Sequence, residues 1–410
     1  MIFKNHCLYN IDLPEIIKKN SNEIEITTND IHNTLSKHTN HVLVLTIVQE
    51  AYGITDWKHH FYKFINLIKQ KHPTTPILLI INSWYQNQVD FIDKSLVDDV
   101  VFIDFYLLMT YNRLLVNKES PVATTWNSAL RNFLFLTGKP YKIHRIRLLY
   151  KFFEKNLLKH ATWSLFMNND LRHLSRKFLS ELSNAEYDLF LRNHTQNPDN
   201  ISLQNNCHYD GIPYQLDLYQ NNLFQIISET YFSDSTPWIT EKTWLSIVNK
   251  RPFIMASSSG TLLKLKKMGF KTFENYLKIP YDTIQNQEQR LNAIVVNTEY
   301  WLAYLHNYKN DVEKDIEYNF QNLIDLAQVN LVKLQNLIDS YKLDCKITEL
   351  IQLSEYFSIS QKNVKWRVWY NSIRDNTWPD CETENNFVNL PYHIQQECIH
   401  VFNYKLKEVI

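Results

Sequence analysis

Four short, unbroken apolar runs constrain this chain more than any other feature: HVLVLTIV from residue 41, ILLIIN at 77–82, DVVFIDF at 99–105 and RNFLFLTG at 131–138. Runs of this length without polar alternation are strands buried on both faces. Between the first two, Asp56 to about His72 carries apolar residues at helical spacing, and strands alternating with helices imply a parallel sheet covered on both sides. A second cycle follows. The pattern predicts a helix from about Ile146 to Lys159, a strand in TWSLFMN (162–168), a helix at 170–184, a strand in FQIISETY (224–231), a helix opening near Thr240, a strand in PFIMA (252–256) and a helix from Gly260 to Met268. Beyond Glu288 two long helical patterns run to about Tyr341, and an irregular Trp-rich tail closes the chain.

At 410 residues the chain exceeds one ordinary domain, and no repeat with a period of about 20–50 residues is visible. The expected fold class is α/β: two domains facing each other across a cleft, with a mainly helical C-terminal extension. The expected boundaries are 1–138, 139–285 and 286–410. In the tail, Trp366, Trp369 and Trp378 form either a local core or a docking surface.

Forty-three Lys and Arg balance forty-three Asp and Glu, so no global field draws the protein to nucleic acid or an anionic membrane, and any anion site is local. Only five glycines occur, at 53, 138, 211, 260 and 269. They form neither a GxGxxG fingerprint nor a P-loop, which removes the strongest support for nicotinamide or P-loop chemistry. Five scattered cysteines without a CxxC pair argue against a zinc ribbon or a disulfide framework. No apolar run reaches membrane-spanning length, so the expectation is a soluble cytoplasmic protein, with export as a soluble effector left open.

Two segments concentrate anion-binding groups at strand-to-helix junctions. Residues 139–160 hold seven Lys/Arg against one Glu. Lys151, Lys155 and Lys159 share the face opposite Ile146, Leu149, Tyr150, Phe153 and Leu157, as solvated decoration would. Arg145, with His144 and Arg147, sits instead at the helix start, where amides and the dipole already favour phosphate. The second segment centres on Thr240-Glu241-Lys242. A carboxylate beside an ammonium at a helix start can hold a ribose diol and a phosphate together, although the same residues suit ordinary helix capping. Ser258, Ser259 and Gly260 could add amides to a phosphate from the next helix start.

The run from SET through TEKTW and RPFI to GTL and GFKTF resembles the donor-binding half of fucosyltransferase-like glycosyltransferases, and KPYKIHRIRLL resembles that family's arginine segment. Together they cover Leu134 to Tyr276. The resemblance implies a GT-B fold, with an acceptor-side Rossmann-like domain at 1–138 and a donor-binding one at 139–285, and a metal-independent site without a separate cofactor. It implies a nucleotide-diphosphate donor, GDP-linked and fucose-like, and a glycan, lipid or protein hydroxyl as acceptor. It places Glu241 at the ribose, Lys242 and Arg145 at the diphosphate, Trp238 at the base or sugar face, and Glu229 and Thr240 beside them as binding residues. Thr230 stands where the family has asparagine. An inverting reaction would need a base from the N-terminal domain, for which Glu50, Asp56 and Asp104 are the candidates. A retaining transferase on the same architecture, or a nucleotide-sugar-binding or lectin-like protein without catalysis, would share the donor features.

Overall fold

The computed structural model describes residues 2–3, 6–7, 42–47, 57–82, 95–118, 122–137, 142–165, 183–186, 216–232 and 237–341. Two compact units emerge, one made of Met1–Glu119 with Gln321–Ile359, the other built on Ser120–Phe320.

In the first unit, β1 (Ile2–Phe3) and β2 (His6–Cys7) form a short antiparallel pair. Strands β3 (Leu43–Ile47), β4 (Ile77–Asn82) and β5 (Asp99–Ile103) form a parallel sheet in that order. β4 is buried along its whole length, as an unbroken apolar run requires of a central strand. Helix α1 (Trp57–Lys71) makes the crossover from β3 to β4 and buries Phe64, Ile65 and Ile68, a spacing of one helix face. The run DVVFIDF does not stay extended. Strand β5 stops at Ile103, and Asp104 caps α2 (Phe105–Thr110), accepting the Leu107 amide at 2.9 Å; the helix continues as a π-helical turn, Tyr111–Val116. Both sides of this junction are apolar, so hydrophobic pattern alone gives no break between them.

The second unit carries β6 (Phe133–Thr137), β7 (Ala161–Leu165), β8 (Phe224–Ser228) and β9 (Phe253–Ala256), all parallel, in the order β7-β6-β8-β9. Its helices are α3 (Ile143–Glu154), α4 (Leu216–Gln220), α5 (Glu241–Val248), α6 (Thr261–Lys267) and α7 (Gln287–Tyr304). Helix α8 (Lys309–Ser340) begins here and ends in the first unit. The core joins Phe133, Phe135 and Phe152 on one side of the sheet to Phe224, Phe273 and Trp301.

Three expectations are corrected. β6 pairs with β7 and β8, so RNFLFLTG opens the second sheet instead of closing the first domain, and the seam falls before it. α7 packs on α3 and β9 and so belongs to the second unit, not to an extension; α8 then returns the chain to the first. On α3 Ile146 and Leu149 are buried as expected, as is Leu157 beyond its end, but Arg145, Leu148 and Phe152 are buried with them and Phe153 is 56% exposed. Residues 170–182 of the helix expected at 170–184, and the Trp-rich tail, lie outside the described residues.

Candidate functional site

Between β6 and β7 the chain continues to one side of β6, and β8 then joins its other side. The order of strands therefore reverses at the β6–β8 pair, and in open α/β sheets ligands bind in the crevice outside the strand ends at such a point. β6 and β8 pair only at their beginnings, Phe133 with Phe224 and Leu134 with Gln225, while β6 stays paired with β7 as far as Thr137 and β8 with β9 as far as Ser228. The segments that follow these two strands are the two the sequence singles out.

Arg145, in the first turn of α3, reaches the end of β8. It is 2% exposed, and its Nη2 donates to the carbonyls of Ser228 and Glu229, both at 3.3 Å, where β8 has lost its β6 partner. His144 lies beside it, its ring flat against Phe232 (5.1 Å, 9°), and Nε2 donates to the Glu229 carbonyl at 3.1 Å. Burial first, then the Arg145 charge, holds the imidazole pKa well below its usual value; Lys142 and Arg290 act in the same sense, against the Glu229 carbonyl. The folded chain thus binds fewer protons here than the unfolded one. This contribution to stability is complete above the unfolded value near 6.5 and is lost as pH falls below it. The stability difference between wild type and His144→Gln should shrink by on the order of 1–2 kcal/mol between pH 7 and 5, measured by denaturant unfolding at each pH. A pH-independent difference would contradict the assignment.

Glu229 is fully buried, and its carboxylate accepts from the Thr240 amide (3.1 Å), the Thr240 hydroxyl (2.6 Å) and the Thr243 hydroxyl (2.6 Å). Burial pushes this carboxyl upward, against the pull of Lys242 and the two hydroxyls. Glu229 is therefore turned inward to order the first turn of α5, which corrects its expected place as a ligand contact. Thr240 occupies the N-cap position without capping by its own side chain; its hydroxyl is spent on Glu229 and accepts from Lys242 at 3.0 Å. Ordinary capping does not account for this arrangement. The Lys242 ammonium also meets Glu241 at 2.9 Å. Burial by itself would raise the Glu241 pKa, but the Lys242 charge and hydrogen bonds outweigh it, and the carboxyl is held low.

Trp238 is 4% exposed and meets Tyr231 edge-on at 6.2 Å, with the Lys142 ammonium 4.9 Å from the Tyr231 ring. Its ring is part of the wall instead of an open platform. Of the amides at Ser258, Ser259 and Gly260 expected to serve a phosphate, that of Gly260 is already used. Gly260, in the left-handed region that glycine adopts without strain, donates to the Asp282 carbonyl at 2.9 Å, and the Asp282 carboxylate accepts from Leu262 and Leu263, both at 3.0 Å. Asp104, proposed as a base, is buried in the first unit as the cap of α2 and donates its amide to Asn330 at 3.1 Å. Glu50 and Asp56 lie outside the described residues. Lys155 and Lys159 are exposed as expected, whereas Lys151 pairs with Glu288.

Arg145, Glu229, Thr240, Glu241 and Lys242 are thus brought together around the end of β8. Two residues the sequence reading did not name, Phe232 and Arg290, join them. Arg290 donates to the Phe232 carbonyl and stands 4.3 Å from its ring. A signal for it existed: positions 290, 294, 297 and 301 fall on one helical stripe, and all four are buried.

Among the described residues no helix is long and apolar enough to cross a membrane. No protein-family model matches the chain, and no curated protein matches it. Among solved structures, a UDP-forming α,α-trehalose-phosphate synthase from Burkholderia xenovorans aligns with 79% of this chain and 82% of its own, at 10% identity and a TM-score of 0.41. A likeness this distant contributes nothing to the reading below.

Proposed function

We propose that the second unit binds a nucleotide-diphosphate sugar at the β6–β8 crevice and that the protein is a glycosyltransferase passing the sugar to a hydroxyl acceptor. The observation that carries this is the meeting, at one strand-order reversal, of the two segments that resemble the donor-binding half of a glycosyltransferase family. Arg145 reaches the Glu229 carbonyl and Lys242 the Thr240 hydroxyl that Glu229 holds, so both cations are anchored about one residue.

Departure of a nucleoside diphosphate builds negative charge that fixed cations stabilise without reorganising. Lys242 and Arg145 would take that role, with the α5 N-terminus adding its dipole. Glu241 would exchange part of its contact with Lys242 for ribose hydroxyls. A GDP-linked, fucose-like donor and inversion at the sugar carbon are the finer reading, supported by the sequence resemblance alone.

The test is thermal unfolding with GDP, UDP, CMP and their sugars. GDP or a GDP-sugar should raise Tm by several degrees, since a ligand at 100 times its Kd adds about 2.7 kcal/mol. Lys242→Ala should lose most of that rise; equal shifts in both proteins would refute the role of the lysine. Binding with hydrolysis but no transfer to any acceptor would mark a binding protein in place of a transferase.

A further inference from the structure

Among the described residues from Asn222 to Asn249, only Tyr231, Pro237 and Lys242 are half-buried; every other residue of β8, of the segment after it and of α5 is buried. Lys242 is the cation assigned above to the diphosphate. Tyr231 is the third residue beyond Ser228, where β8 ends at the crevice. A molecule that approaches this wall from solvent therefore meets an aromatic ring, a proline and an ammonium. A ring and a cation are what a nucleotide diphosphate needs, π surface for the base and positive charge for the phosphates.

The setting of Tyr231 gives the ring a direction. Its hydroxyl oxygen is buried, so the part of the side chain that solvent reaches is not its polar tip. Trp238 meets the ring edge-on at 6.2 Å and 82°, and the Lys142 ammonium stands over the ring, 4.9 Å from its centroid. Lys142 is the N-cap residue of α3, one turn before Arg145, and Arg145 holds the carbonyls of residues 228 and 229. The ring face under the ammonium thus looks toward the helix start assigned to the diphosphate. Trp238, at 4% exposed, offers solvent no comparable surface.

We propose that Tyr231, in place of Trp238, is the platform on which the base of a nucleotide diphosphate stacks, the Lys142 ammonium moving off the ring as the base arrives. The assignment rests on the nucleotide-diphosphate reading above and adds to it the place of the base. A lysine at a ring face makes a weak contact on a flexible stem, so its displacement costs little. Stacking uses the π-face that every base has. Tyr231 therefore favours a nucleoside diphosphate over bare pyrophosphate and leaves the choice among bases to other contacts.

The full chain is titrated calorimetrically with GDP, UDP and inorganic pyrophosphate, as wild type, Tyr231→Leu and Tyr231→Phe. Tyr231→Leu should weaken the tighter of the two nucleotides about tenfold and leave pyrophosphate, which has no base, within about twofold of wild type. Tyr231→Phe, which keeps the ring, should stay within about threefold for both. Equal nucleotide affinity in wild type and Tyr231→Leu overturns the platform and leaves the nucleotide reading standing. Equal loss of nucleotide and pyrophosphate also overturns it, since the ring would then only shape the site. No binding of either nucleotide by the wild type refutes the nucleotide reading, and the platform with it. If Tyr231→Leu does not fold, the wild type decides: the azido derivative of the tighter nucleotide, irradiated in place, should attach at Tyr231, and attachment at Trp238 instead overturns the proposal.

Discussion

Trp301→Ala should cost the second unit roughly 3–5 kcal/mol, the range for deleting a fully buried large aromatic side chain. Trp301 is completely buried on α7. Its ring meets Phe224 of β8 edge-on at 5.1 Å and Phe273 at 6.4 Å, and its Nε1 donates to the Tyr276 carbonyl at 2.8 Å. Alanine would leave a cavity beside the central strand and a buried carbonyl without its donor, and the two costs add. For a unit of this size the loss corresponds to a Tm lower by on the order of 10 °C. Trp301→Phe, which keeps most of the apolar volume and loses the hydrogen bond, should cost about 1–2 kcal/mol. Denaturant unfolding of the three proteins checks the ordering. Equal stability of Trp301→Ala and wild type would mean that α7 does not pack on the sheet.

Glu229→Ala should both destabilise the protein, by about 3 kcal/mol, and abolish the nucleotide-induced rise in Tm, because three buried donors lose one acceptor. The donors are the Thr240 amide and hydroxyl and the Thr243 hydroxyl, all in or beside the first turn of α5. Thr240 in turn receives Lys242, so the proposed phosphate ligand would lose its fixed position although Glu229 touches no ligand itself. Glu229→Gln should be milder, at about 1 kcal/mol, since the amide oxygen still accepts and the threonine hydroxyls can turn to accept from the nitrogen. Retention of the full nucleotide shift in Glu229→Ala would show that the α5 first turn is ordered by other contacts.

The roles of Glu229 and Thr240 show how far the sequence could be read. Their residue types and spacing brought the segment to notice, and the structure places them at the crevice. Which way each side chain turns was not legible, because it depends on β8 passing α5 close enough for a buried carboxylate to reach back to the helix start. The same limit explains Asp104: following an apolar strand run it reads as a strand-end carboxylate, yet its fate as a helix cap follows from the chain folding directly into α2. The helix start at Ser258–Gly260 read equally as a phosphate contact or a plain N-terminus, and Asp282, more than twenty residues later, accepts from Gly260, Leu262 and Leu263 there.

Hydrophobic periodicity alone determined that this chain forms parallel, doubly covered strands joined by helices, because unbroken apolar runs can be buried only in that way. Local charge likewise marked Arg145 and Lys242. The strand order β7-β6-β8-β9 was decided only in three dimensions. So were the short β6–β8 ladder and the arrival of Arg290 from a helix beyond all four strands. Such pairings join residues far apart in the chain, and nothing in the local pattern of either partner encodes which neighbour it will meet.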